Sequence, residues 1–151
     1  MRRSVLWLAP AAGLLVFAAG PALARTSGGN GAQKSTLSTP SSGMGCQQGG
    51  GSSSDGWAIL NKTGAPVPGT SAVQGEVHIV DAALAGQTVM AFVVQPGSSS
   101  CMSTNMVAIT LNGQGIGNGH LNGMEMNGNY FVAIENMMGS EVLASKAVPL
   151  L

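Results

Sequence analysis

The sequence predicts an all-β protein, a small antiparallel β-sandwich or barrel linked by a disulfide. Short runs rich in Val, Ile, Leu and Thr recur from Gly56 onward, and glycine, asparagine, proline and serine fill the gaps between them. No stretch of ten residues carries a helical apolar stripe. Two cysteines, Cys46 and Cys101, are available to close one bridge.

The first 24 residues stand apart from the fold. Arg2 and Arg3 precede an apolar run from Val5 to Ala19, and Ala22-Leu23-Ala24 offers small residues for cleavage before Arg25. This pattern predicts a secretory signal peptide over 1–24 and a secreted or periplasmic product. The flanking SVLW fits a twin-arginine signal only loosely. The remaining 127 residues suit one domain. They carry Arg25, Lys34, Lys62 and Lys146 against six carboxylates, a net charge of −2. No basic stripe is present, so nucleic acid and, after signal cleavage, an anionic membrane are poor partners. In an oxidising compartment Cys46 and Cys101 are expected to pair, closing a loop of 55 residues. Such a closure contributes about 4 kcal/mol. Neither cysteine lies in a CxxC motif or next to a cation, so redox catalysis lacks its means of lowering a thiol pKa.

Residues 25–55 form a Gly/Ser-rich tract with hardly any large apolar side chain. It is expected to be disordered, because burial does not offset its ordering entropy. The β domain is placed at 56–151. Gly56–Leu60 begins it, with Trp57 suited to core or strand-edge packing. Gly64, Pro66, Pro68 and Gly69 then mark an edge or loop. Val73–Val80 reads as a half-buried strand, with Val77 and Ile79 on the apolar face and Glu76, His78 and Val80 on the other. Asp81–Gln87 offers one helical turn opened by Asp81, or a loop. Thr88–Val94 is an unbroken apolar run and reads as a central strand covered on both sides. Asn105–Leu111, Asn129–Asn136 and Glu141–Leu150 follow as strands.

Between them lies GQGIGNGHLNGMEMNGNY, Gly113 to Tyr130, the loudest feature of the chain. Its Asn-Gly pairs suit tight turns. The stretch is expected to be a long glycine-rich connection holding a minor hairpin around His120–Met126. As a candidate binding loop it offers Asn118, His120, Asn122, Met124, Met126 and Asn127.

Other chemistries find less. A copper site would draw on His120, Met124 and Met126, with Met102, Met106, Met137 or Met138, since thioether and imidazole suit Cu(I). No dense cluster supports it, methionine commonly fills core gaps, and no cofactor is expected. A nucleotide cradle lacks its GKS or GKT, and a serine hydrolase its GxSxG elbow, although His78, His120, Asp55 and Asp81 are present. Glu76, Glu125, Glu135 and Glu141 show no spacing that sets two face to face for glycoside chemistry. The expectation is therefore a secreted, non-enzymatic binding, adhesive or envelope-structural module. Its partner would be a protein or a glycan, and charge-poor strand edges leave self-association open. A small secreted hydrolase and a periplasmic copper-binding protein are the alternatives.

Overall fold

The computed structural model of the protein describes residues 31–63 and 70–150. The expected signal peptide, the start of the Gly/Ser tract and the Pro66–Pro68 punctuation lie outside them. The strands are β1 (Gln33–Ser38), β2 (Gly56–Lys62), β3 (Thr70–Val80), β4 (Thr88–Val94), β5 (Met106–Thr110), β6 (Ile116–Met126), β7 (Gly128–Asn136), β8 (Glu141–Ser145) and β9 (Val148–Leu150). Asp81 caps one 3-10 turn, Ala82–Leu84, by accepting from Ala83 N–H.

The strand order is β5-β4-β7-β8-β1-β2-β3-β6, antiparallel throughout, with β9 added to the start of β7. The protein is thus an all-β, nearly closed barrel flattened into a sandwich and fastened by a disulfide. β1 joins the two layers. Its first part, Gln33–Thr36, pairs with β2, while Leu37 and Ser38 pair with β8.

The inward residues of both layers make the main core. Leu37, Leu60, Val73, Val77 and Ile79 meet Val89, Val93, Ile109, Leu121, Val132, Ile134 and Leu143 there. Alternation along β2, β3 and β6 supplies one side of it. β4 and β7 feed a second cluster from their other face, where Phe92, Val94, Phe131 and Ala133 pack with Ala144 and both cysteines. This is why β4 reads as continuously apolar: both of its faces are covered.

The cover is the tract expected to be disordered, and here the structure corrects the expectation. Within 31–55, β1 is a paired strand and Leu37 is fully buried. The following chain is tied down by its backbone: Ser41 N–H donates to Gln48 O, Cys46 N–H to Ser98 O, and Gly49 N–H to Ser145 O. Small side chains permit these close approaches. The Cys46–Cys101 disulfide, with its Cα atoms 4.9 Å apart, clamps this strap onto the loop that follows β4. Order comes from long-range pairing and a covalent link, neither of which apolar content measures.

The stretch 113–130 is corrected too. It is one 11-residue strand, β6, running into β7, with no hairpin at His120–Met126. Its inward positions are Gly117, Gly119, Leu121, Gly123 and Glu125. A Cβ on Gly119 would stand 2.6 Å from Ile109 Cδ1, and one on Gly123 would stand 2.7 Å from Asn105 Cγ. The glycines therefore let β5 lie against the β6 backbone and close the seam between the terminal strands. Asn127 marks the corner where the chain changes layer, and its Oδ1 accepts from Lys62 Nζ at 3.2 Å.

The hairpin turns use Asn in a different way from the expected Asn-Gly pair. Asn112 and Asn136 each accept two backbone N–H groups through Oδ1, from residues two and four further on. Gly115 and Gly139, three residues after them, both take φ of 77°. This is a three-residue loop ending in a left-handed residue that only glycine adopts without strain. The expected final strand is also divided, into β8 and β9. Only Met90, partly buried in the second cluster, matches the reading of methionine as core filler.

Candidate functional site

The outer face of the β1-β2-β3-β6 layer carries the candidate residues, and register explains why. β6 presents Asn118, His120, Asn122, Met124 and Met126 on one exposed side. β3 places His78, Glu76, Gln74, Ala72 and Thr70 directly opposite them. β2 adds Trp57, Ile59 and Asn61, which pair with His78, Glu76 and Gln74. β1 adds Thr36 and Lys34 beside Trp57 and Ile59. Polar side chains thus stand in cross-strand rows, the arrangement in which neighbours on a sheet interact.

One row is satisfied internally. Lys34 Nζ sits 4.9 Å from the centroid of the Trp57 ring. The His78 ring lies 5.5 Å from Trp57 at 31°. His78 Nδ1 is 2.6 Å from Asn118 Oδ1. An amide oxygen only accepts, so in this contact the His78 ring nitrogen is the donor. Trp57, flanked by a cation and an imidazole, serves this row as a spacer and stands half-buried on the outer face. The sequence expectation of core or strand-edge packing is not met: β2 is paired on both sides, and Trp57 lies on the open face of an interior strand.

The neighbouring rows face solvent. Asn61, Gln74 and Asn122 form one row, and Ile59, Glu76 and His120 the next. Among the described residues, none of these polar side chains makes a hydrogen bond or ion pair with another. Together with Ala32 they line an open hollow of about 380 Å3. Ala32, Ile59 and Leu121 give it apolar lining, and three amides, a carboxylate and an imidazole supply its polar groups. No lining residue is cationic.

The structure therefore joins Asn122 and His120 to residues the sequence reading left out of the binding set: Asn61, Gln74 and Glu76. Their signal was the strand parity that sets Trp57, Ile59 and Asn61 against buried Ala58 and Leu60. Asn118 belongs to the satisfied row, and Asn127 sits at the layer-changing corner. Met124 and Met126 extend the face beyond the hollow. His120 and Met124 are four residues apart on one strand, roughly 13 Å at the strand rise, so this pair does not close on a single ion.

Two polar clusters lie elsewhere. At the seam, Asn105 is fully buried, and its amide and Glu125 Oε1 have no hydrogen-bond partner among the described residues. Burial raises the Glu125 pKa, opposed in part by the nearby Asn105 amide. Tyr130 beside it donates to Met126 O and accepts from Gln95 Nε2, both at 2.8 Å. Its pKa is raised, chiefly by burial. On the strap side, Glu135 and Glu141 are cross-strand partners, a pairing their spacing did not suggest. Burial raises both carboxyl pKa values; at Glu141 a bond from Gln47 N–H opposes it and the Glu135 charge adds to it. Glu141 Oε2 accepts that bond at 3.0 Å, and Oε1 stands 3.5 Å from Cys46 Sγ. The two sulfurs and this carboxylate lie within 4.8 Å of one another, but the sulfurs are bonded to each other and offer no thiolate. Glu141 holds the strap.

No protein-family model, no curated protein and no solved structure matches the chain. Its function is read from this geometry alone.

Proposed function

We propose that the protein is an exported, non-enzymatic binding module that recognises a hydroxyl-rich ligand, a glycan, on the outer face of the β1-β2-β3-β6 layer. The observation that carries this reading is the hollow lined by Asn61, Gln74, Glu76, His120 and Asn122, which gathers three amides, a carboxylate and an imidazole on one open face. Planar amides both donate and accept, which matches vicinal hydroxyls. A small apolar lining suits the C–H face of a sugar ring, and concave sites with a few convergent polar groups are where small ligands bind.

Hydrolysis has less support. Neither histidine is hydrogen-bonded to a carboxylate or a serine among the described residues, and His78 is turned toward Asn118. Self-association through bare edges is also disfavoured, because the terminal strands β5 and β6 pack on each other at the seam. The test is retention of the exported chain on immobilised neutral polysaccharides, compared with a Gln74→Ala/Asn122→Ala variant. Retention by the native chain, weakened at least about tenfold in the variant, supports the reading; one bidentate amide contact to a ligand accounts for roughly this factor. Equal retention of both proteins, or none by either, refutes it.

A further inference from the structure

Sulfur is distributed across this protein in an uneven way. Eight large apolar side chains are exposed among the described residues, and all but Val80 are methionines. Met44 lies in the strap and Met102 next to the disulfide. Met106 is on the outer side of β5, Met124 and Met126 are on β6, and Met137 and Met138 form the β7–β8 turn. Their exposure runs from 48 % at Met124 to 95 % at Met44. The only other described methionine, Met90, is partly buried. Both core clusters are otherwise built from Val, Ile, Leu, Phe, Tyr, Ala and the disulfide. Methionine normally fills irregular gaps in cores; here it is almost excluded from them.

We infer that these seven thioethers are an oxidant sink, converted to sulfoxides by peroxide or hypohalous acid without cost to the fold. In each event with hydrogen peroxide the O–O bond breaks, one oxygen bonds to sulfur, and water is released. The thioether loses two electrons and the peroxide gains them. Each site reacts by itself, so no convergence of side chains is needed, in contrast to soft-metal ligation. A sulfoxide is polar and disrupts packing where methionine is buried. None of the seven contributes to either core cluster, so their oxidation leaves the interior unchanged. The cysteines are already bonded and buried, so thioethers hold the remaining two-electron capacity of the protein's sulfur.

The experiment treats the exported chain with graded hydrogen peroxide and maps sulfoxides by peptide mass spectrometry, with thermal unfolding followed in parallel. The expected result is seven oxidised sites and an unchanged cooperative transition, with Met90 at least about tenfold slower, as burial dictates. A variant carrying Gln at all seven positions should lose the ability to slow peroxide inactivation of a co-incubated thiol enzyme. Met90 oxidising in step with the others would overturn the inference. So would a falling transition temperature as sulfoxides accumulate, or equal protection by the variant. If the variant does not fold, native-chain mapping and protection measured against an equal concentration of free methionine decide: protection below that of free methionine refutes it.

Discussion

The two layers have similar inner faces and opposite outer ones. Outside β4, β7 and β8 the sheet is covered by a disulfide-clamped strap and becomes a second small core. Outside β1, β2, β3 and β6 no described segment covers it, and Trp, His, Glu, Asn and Gln stand there beside Lys34, Ile59, Met124 and Met126. The strap has almost no apolar content of its own, yet it turns one outer face into interior. Cover supplied by a covalent link and backbone pairing thus decides which outer face becomes interior.

If the covered face is interior, it should respond to truncation as a core does. Phe131→Ala, at a fully buried position under the strap, is expected to lower stability by about 3–5 kcal/mol, measured by urea unfolding. A cost near that of a surface substitution would break the comparison. Removing the clamp is the next largest change. Cys46→Ala with Cys101→Ala should cost about 2–4 kcal/mol by the same measurement and raise hydrogen exchange at Ser41 and Gly49, whose amides tie the strap down, before the rest of the sheet. Uniform exchange would show that the strap is held without its disulfide.

The seam where the two layers meet gives a third test. Gly119→Val places methyl groups against Ile109 and Val107 and is expected to destabilise by about 1–3 kcal/mol through overpacking. On the exposed side of the same strand, His120→Ala should stay within about 0.5 kcal/mol.

The remaining effect is one of pH. Glu125 at the seam and Glu135 and Glu141 beside the strap have pKa values raised above the ordinary carboxylate range, mainly by burial. The folded protein therefore holds their protons more tightly than the unfolded chain. This stabilisation is fully present below the ordinary glutamate value, about 4.3, and is lost as pH rises through the raised values. The urea midpoint should increase as pH falls from neutral toward that value, and Glu141→Gln should flatten the increase. A midpoint that falls over this interval would reverse the sign of the assignment.

Much of the fold was legible because its signals are local. β4 announced its double burial by an unbroken apolar run, and β3 and β7 by alternation. Asp81 marked the turn it caps. β6 was misread although its period of two is present, because glycine takes the inward positions where an apolar side chain is expected. Glycine reads as a turn until a neighbouring strand is seen occupying the missing side-chain volume. The candidate site was half legible: His120 and Asn122 were found, but Asn61, Gln74 and Glu76 come from strands far away in sequence.

The amino-acid sequence by itself determined the extended segments other than β1 and β6, the turn opened by Asp81 and the availability of one cysteine pair. These follow from backbone preference and from the side chains within a few residues. Only the tertiary structure decided that a polar strap becomes cover, that glycines form a seam, and that methionine faces outward. Each of those depends on which distant segment arrives next to it, and the free energy of a contact exists only once both partners are in place.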